Sequence, residues 1–136
     1  MNMLRFSLLG LMLALVLSSC APDATVEKAQ YSAKIVGNWR GTVGDMTEGI
    51  SFSADGKFVS QVRPQGFISN TLGQGITGTI RGTWVITGNI VSLHIDSAEN
   101  ETVQNKTTAG TIESFKQNEL VVRSSNGETS TFVRAI

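Results

Sequence analysis

The chain has 136 residues, and its 11 basic and 11 acidic side chains give a formal net charge of zero at pH 7. A near-neutral chain has no basic surface field to attract nucleic acid. Cys20 is the single cysteine, which excludes an intrachain disulfide. The part that follows Cys20 is long enough for one domain, and the stability of that domain must come from packing.

The amino-terminal segment 1–19 predicts a secretory signal peptide. One positive charge, Arg5, precedes the apolar run FSLLGLMLALVL at 6–17. This run is shorter than the roughly 20 apolar residues that span a bilayer, and it matches the apolar region of a signal peptide. An ordinary signal peptide with cleavage nearby would leave Cys20 as a free thiol.

The tetrapeptide LSSC at 17–20 resembles a bacterial lipobox. The resemblance implies a diacylglyceryl thioether on Cys20, cleavage before it, and acylation of the new amino group by a fatty acid such as palmitate. Two or more acyl chains hold a protein stably on a membrane. Ala21 follows the cysteine where Asp would mark retention, and the sorting rule of enteric bacteria then implies the outer membrane. Leaflet and sidedness stay open.

The segment 20–34 predicts the lipidated cysteine and a polar tether with one helical turn, and 35–136 predicts a single domain. Within that domain apolar and polar residues alternate, which indicates strands with one buried face. The predicted strands lie at roughly 36–44, 48–53, 57–63, 75–87, 90–97, 103–115, 119–124 and 128–134. The predicted inward side chains are Trp39, Val43, Ile50, Phe52, Phe58, Val62, Ile80, Trp84, Ile86, Val91, Leu93, Ile95, Ile112, Leu120, Val122 and Phe132.

Short turns between the strands favour an all-β fold, a small closed eight-stranded up-and-down antiparallel barrel. Closure removes the two exposed edges of a flat meander, and eight strands enclose a space that side chains or one small ligand fill. An open sandwich of the same strands is the alternative.

The glycine-rich stretch 64–78 predicts either a mobile loop at the barrel mouth or a frayed start of the fourth strand. Phe67, Ile68 and Leu72 are apolar residues of this stretch. They are candidate contacts for a ligand, or they cover one end of the core.

Four segments in this order resemble the bacterial lipocalin-like domains: GNW at 37–39, ISFSADGKF at 50–58, GTWVITGNIVSL at 82–93 and ELVVRSSNGETSTFVR at 119–134. The resemblance implies that Trp39 fills the closed end of the barrel and that Arg134 lies across its ring. Gly37 then permits a sharp bend at the rim, and Trp84 is a second wedge in the fourth strand. The carboxy-terminal helix of full-size lipocalins is missing from the pattern.

The sequence offers little catalytic chemistry. His94 has outward parity, and Asp96, Glu99 and Glu101 predict a solvated loop or a weak Ca²⁺ contact. No zinc-ligand set and no nucleophile-elbow motif is present, so we expect neither an enzyme nor a metal or other cofactor. The expected function is binding of a small hydrophobic ligand at the mouth. The alternative is a solid barrel whose outer face and loops contact an envelope protein.

Overall fold

The structure, a computed structural model, describes residues 24–135. The predicted signal peptide at 1–19 and Cys20 lie outside these residues. Eight strands follow one another in chain order: β1 Gly37–Val43, β2 Met46–Phe52, β3 Lys57–Val62, β4 Gly78–Thr87, β5 Ile90–Ala98, β6 Thr107–Lys116, β7 Glu119–Arg123 and β8 Thr129–Arg134. The described residues also form two short helices, α1 Tyr31–Lys34 and α2 Phe67–Leu72, and 3₁₀ turns at Lys28–Gln30 and Glu101–Val103.

The strands form a closed antiparallel barrel in which each strand pairs with its neighbours in sequence. β1 pairs with β8 in the register Trp39 opposite Arg134 and Gly41 opposite Phe132. A Cβ on Gly41 would lie 3.1 Å from the Phe132 ring, so glycine leaves room for that ring where the barrel closes. The predicted eight-stranded up-and-down barrel is therefore confirmed, and the open sandwich is excluded.

The alternation of inward and outward side chains along the strands explains most of the core, but it fails in β6. Ile112 and Phe115 are both buried although three positions separate them. The pairing of β6 with β7 shifts register between Ile112 and Ser114, and this bulge changes the face on which later side chains lie. Three predicted inward residues, Val43, Trp84 and Ile86, are only half-buried.

The two ends of the barrel are called here the base and the mouth. The base contains the β2–β3, β4–β5 and β6–β7 turns, and the mouth contains the β1–β2 turn, α2, the β5–β6 loop and the β7–β8 turn. The strands alternate in direction, so these two sets of connections lie at opposite ends.

The segment before β1 packs across the base. Thr25 forms an isolated antiparallel bridge with Lys116, and the N–H of Val26 donates to the Phe115 carbonyl at 2.9 Å. The Tyr31 ring stacks on Phe115 with centroids 5.1 Å apart. Part of the segment that the sequence assigns to the tether, from residue 24 onward, is therefore in contact with the barrel. No helix within residues 24–135 is long and apolar enough to cross a membrane.

The stretch 64–78 differs from both predictions for it. Its centre forms α2, with Gly66 at the amino-terminal cap and Gly73 in the left-handed conformation (φ 74°) at the carboxy-terminal cap. A left-handed glycine is a common helix end, because it has no Cβ to oppose that conformation. The glycines therefore mark the limits of a short helix, and β4 begins later than predicted, at Gly78.

Candidate functional site

The mouth of the barrel is closed by α2. Phe67 and Ile68 are 3% and 1% exposed and belong to the central apolar cluster, whereas Leu72 is half-buried against it. The Phe67 ring meets Phe132 edge to face, with centroids 6.2 Å apart. A Cβ on Gly110 would lie 2.6 Å from Phe67, so this glycine of β6 lets the ring approach the wall closely.

Serine hydroxyls fix α2 to the rest of the mouth. Ser69, itself buried, donates to the Arg63 carbonyl at 2.8 Å and accepts the N–H of Ile76 at 3.1 Å. Ser124 of the β7–β8 turn donates to the Phe67 carbonyl at 3.4 Å. The contacts of α2 therefore combine two apolar side chains with a few hydrogen bonds.

A buried carboxylate, Glu48 of β2, lies directly beneath the start of α2. It is 1% exposed, and its Oε1 accepts the backbone N–H of Phe67 at 3.0 Å. Its Oε2 accepts the N–H of Arg63 at 3.3 Å. These bonds satisfy two backbone donors, one of them at the free end of the helix, where the helix itself offers no acceptor.

Burial raises the pKa of the Glu48 carboxyl above its usual value. The hydrogen bonds from Phe67 and Arg63 and the positive charge of Arg63 oppose this rise, but desolvation is the larger effect. The Arg63 side chain is directed elsewhere, since its Nε donates to the Thr47 carbonyl at 3.0 Å. Among residues 24–135, no guanidinium forms an ion pair with the buried Glu48 carboxyl.

Gly66 is the point where α2 approaches this carboxylate most closely. Its φ of −80° suits any residue, so its conformation does not demand glycine. A Cβ at this position would overlap Oε2 of Glu48, so the close contact with the carboxylate is what favours glycine here. The glycine therefore permits the carboxylate and the helix start to pack together.

Glu48 is not among the site residues predicted from the sequence, although its position in β2 could have identified it. It has the same parity in β2 as the inward side chains Ile50 and Phe52. An ionisable residue on the inward face of a strand is rare unless it is hydrogen-bonded, and such residues are candidates for functional roles.

Buried apolar side chains from the strands and from α2 form one cluster inside the closed barrel. Five depressions on the described residues have volumes between about 280 and 560 Å³, and they lie on the outer wall or among the mouth loops. Phe67, Ile68 and Leu72 line none of the five. Among the described residues, no buried side-chain nitrogen or oxygen lacks a hydrogen-bond partner.

The residues implied in barrel closure meet at the base. The guanidinium carbon of Arg134 lies 4.2 Å from the centroid of the Trp39 ring, and the Trp39 Nε1 donates to the Ile35 carbonyl at 2.8 Å. Gly37 has φ 136°, and a Cβ there would lie 2.7 Å from Nη1 of Arg134. The structure therefore brings Gly37, Trp39 and Arg134 together.

Trp84 occupies a separate place at the base. Its ring meets Phe52 edge to face at 5.5 Å, and its Nε1 donates to the Ser53 carbonyl at 3.1 Å. The neighbouring Gly82 faces the His94 carbonyl so closely that a Cβ would overlap it. Trp84 thus packs against the β2–β3 turn and not against Trp39 or Arg134.

The candidate titratable residues do not converge. The His94 side chain is 41% exposed on the outer wall, where Nδ1 lies 2.8 Å from Thr107 Oγ1 and Nε2 lies 3.6 Å from Asp96 Oδ1. Asp96, Glu99 and Glu101 are exposed. Within residues 24–135, no three His, Cys, Asp or Glu side chains are grouped so as to hold a metal ion.

Comparison with known proteins gives structural similarity alone. No family model and no curated protein matches the sequence. A crystal structure of a lipocalin-like protein from Bacteroides uniformis aligns with a TM-score of 0.50 at 15% identity, covering 75% of this chain and 99% of that one. An uncharacterized protein from Bacteroides eggerthii aligns at 12% identity with a TM-score of 0.48, covering 74% of this chain and 99% of that one. The first of these similarities, together with the closed eight-stranded barrel, shows that the chain has a lipocalin-like fold.

Proposed function

We propose that this protein is a lipid-anchored, non-catalytic protein of the bacterial outer membrane that binds a small hydrophobic molecule at the barrel mouth. The observation that carries the proposal is that the mouth is closed by a separate six-residue helix and not by the strands. Displacement of α2 would withdraw Phe67 and Ile68 from the core and leave an apolar opening beside Phe132. A ligand would occupy the volume that these two side chains leave.

The free energies involved make such displacement accessible. Burial of Phe67 and Ile68 contributes about 3–6 kcal/mol, at about 1.5–3 kcal/mol for each side chain. Fixing the backbone of six residues costs about 6–12 kcal/mol, at about 1–2 kcal/mol per residue. A few hydrogen bonds, each contributing about 0.5–1.5 kcal/mol net, offset part of that cost. The favourable and unfavourable contributions to closing the mouth are therefore of similar size.

Glu48 restricts the chemistry of the ligand. With α2 displaced, its carboxyl loses the N–H groups of Phe67 and Arg63 and requires new donors. An apolar molecule with an amine or hydroxyl head would supply them, whereas a fatty-acid carboxylate would bring a second negative charge to the same place. We therefore propose an apolar ligand with a hydrogen-bond-donating head.

A pair of glycine variants tests ligand binding. Gly66→Ala requires the Glu48 carboxyl and the start of α2 to move apart, whereas Gly75→Ala in the same loop adds a Cβ 3.6 Å from Pro64, which is an ordinary contact. We expect Gly66→Ala to bind the apolar fluorescent amine N-phenyl-1-naphthylamine at least several-fold more tightly than the wild type, because the open state no longer has to be selected. Gly75→Ala should bind like the wild type.

Absence of probe binding by Gly66→Ala, in a protein whose circular dichroism shows an intact barrel, would contradict the proposal. Native mass spectrometry of protein purified from its own host is the complementary measurement. Repeated preparations without a bound small molecule would also contradict the proposed ligand binding.

A second candidate function is that of a solid barrel that contacts an envelope protein through its outer face and loops. The observation in its favour is the apolar cluster inside the barrel, together with a depression of about 400 Å³ on the outer wall over β1–β3. Asn38, Arg40 and Gln61 are among the residues that line it. Crosslinking in intact cells tests this candidate, and failure to capture any specific protein would argue against it.

The lipid anchor has its own test. Mass spectrometry of the amino-terminal peptide should find the diacylglyceryl and acyl groups on Cys20. A Cys20→Ser variant should leave the outer-membrane fraction, and its retention there would contradict the proposed anchor.

A further inference from the structure

We infer that the base of the barrel faces an anionic phospholipid bilayer and that the mouth, with α2, points away from it. This orientation rests on the lipid anchor at Cys20 proposed above. The base thus contacts the headgroup surface of the membrane in which the anchor is inserted. Three features of the chain support this orientation: where it leaves the barrel, how far the tether reaches, and which charges lie at each end.

The chain reaches the barrel at the base. The carbonyl of Ala24 accepts the N–H of Gln117 at 3.0 Å, and the N–H of Val26 donates to the Phe115 carbonyl at 2.9 Å. Thr25 bridges Lys116 between them. These contacts hold the first described residues against the β6–β7 turn, so the anchor is attached beside the base and not beside the mouth.

The tether between the anchor and this point is short. Four residue steps separate Cys20 from Ala24, and a fully extended chain covers at most about 3.6 Å per step, or about 14 Å. The opposite end of the barrel is farther away, because the ten residues of β6 span about 33 Å along the strand and about 25 Å along a barrel axis tilted by about 40°. The tether therefore keeps the base close to the headgroups, whereas the position of the mouth depends on the tilt of the barrel.

The charges at the two ends differ in sign. At the base, basic residues outnumber acidic ones. The basic residues are Lys28, Lys34, Lys57, Lys116 and Arg134, and the acidic residues are Glu27, Asp55 and Glu119. At the mouth, acidic residues outnumber basic ones. The exposed acidic residues there are Asp45, Asp96, Glu99, Glu101 and Glu128, and the basic residues are Arg63, Lys106 and Arg123.

The lysines of the base are available to phospholipids. Lys28, Lys34 and Lys57 are exposed, and none of them forms an ion pair with another described residue. An anionic surface attracts such side chains within about a Debye length, about 8–10 Å at moderate salt, and repels the acidic mouth. Electrostatics therefore opposes tipping of the barrel onto its side, which the tether would otherwise allow. A ligand would then enter the mouth from the aqueous side and not directly from the supporting bilayer.

The test measures the distance of each end from the membrane. The lipidated full-length protein is reconstituted in vesicles of phosphatidylethanolamine and phosphatidylglycerol that contain a phospholipid with a nitroxide on its headgroup. Ala54→Cys in the β2–β3 turn labels the base with a fluorophore, and Thr77→Cys beside α2 labels the mouth. Both positions are exposed, and the thioether on Cys20 leaves the introduced thiol as the one that reacts.

We expect the label at position 54 to be quenched at least threefold more strongly than the label at position 77. Replacement of Lys28, Lys34 and Lys57 together by Gln should reduce this ratio. The matched change at the mouth, Lys106→Gln, should leave it unchanged or increase it. Raising the salt concentration should act like the triple replacement.

Equal quenching of the two labels, or stronger quenching at position 77, would overturn the orientation. A ratio that is insensitive to the three lysines and to salt would overturn its electrostatic part. Mass spectrometry on the same preparation separates this failure from that of the anchor. An unmodified Cys20 defeats the anchor and the orientation together, whereas a lipidated Cys20 with equal quenching defeats the orientation alone.

Discussion

Replacement of Arg134 by Met should strongly destabilise the barrel. The guanidinium donates to the carbonyls of Lys34 at 2.8 Å, Val36 at 3.1 Å and Gln117 at 3.0 Å. It also lies 4.2 Å from the centroid of the Trp39 ring. One side chain thus connects β8 to the segment before β1, to the β6–β7 turn and to the buried indole. Met fills similar volume but makes none of the polar contacts.

The size of the effect follows from these contacts. A partly exposed cation–π pair contributes about 1 kcal/mol. The bond to Val36 is partly buried and has a charged donor, which gives about 1.5 kcal/mol. The two exposed bonds compete with water, and together they add about 0.5 kcal/mol. The expected loss is therefore about 3 kcal/mol, or a fall in Tm of about 12 °C at about 4 °C per kcal/mol for a domain of this length.

Equilibrium unfolding in urea, followed by circular dichroism on protein with Cys20 replaced by Ser, measures this loss. Arg134→Lys should lose about half as much, because an ammonium keeps the charge but reaches fewer carbonyls. Arg81→Met is the matched control, since Arg81 is exposed on β4 and forms no ion pair with another described residue. It should change stability by less than about 0.5 kcal/mol. Equal destabilisation by Arg134→Met and Arg81→Met would refute the role assigned to Arg134 in closing the base.

Three other substitutions test the mouth and the core. Folding raises the pKa of Glu48, so its contribution to stability should be lost as pH rises from the unfolded pKa, about 4.3, through the higher folded pKa. Glu48→Gln should not show this loss. The same change of urea midpoint with pH in both proteins between pH 4 and 8 would contradict the prediction. Gly82→Ala should prevent folding or cost more than about 3 kcal/mol, because a Cβ would overlap the His94 carbonyl, and a wild-type urea midpoint would refute this. Phe115→Ala should cost about 3–5 kcal/mol in the same assay, and a cost under about 1 kcal/mol would show that its aromatic neighbours close the cavity.

The barrel was predictable from sequence because alternation is a direct consequence of strand geometry. The local pattern alone identifies the buried face of each strand, as for Ile50 and Phe52 in β2 or Leu93 and Ile95 in β5. The burial of Phe115 was not predictable in this way, because a bulge depends on how two strands pair and not on either strand alone.

The two ends of the barrel were harder to predict than its wall. Val26 and Tyr31 belong to a polar segment, and only the placement of Phe115 at the base gives them an apolar surface to cover. The helix α2 is short and bounded by glycines, so local propensity gives little sign of it. Its main support, Glu48, comes from a distant strand. The candidate residues Phe67 and Ile68 could be named from sequence, but the carboxylate beneath them depends on tertiary packing.

Both indoles lie at the base, Trp39 beneath the Arg134 guanidinium and Trp84 against the β2–β3 turn. Intrinsic emission from this protein therefore reports on one pole of the molecule, and it should stay constant when α2 moves at the other. A titration that follows native fluorescence would record no signal even for a ligand that binds tightly. Work on ligand entry requires a reporter introduced near residue 70, or a method that observes the ligand itself.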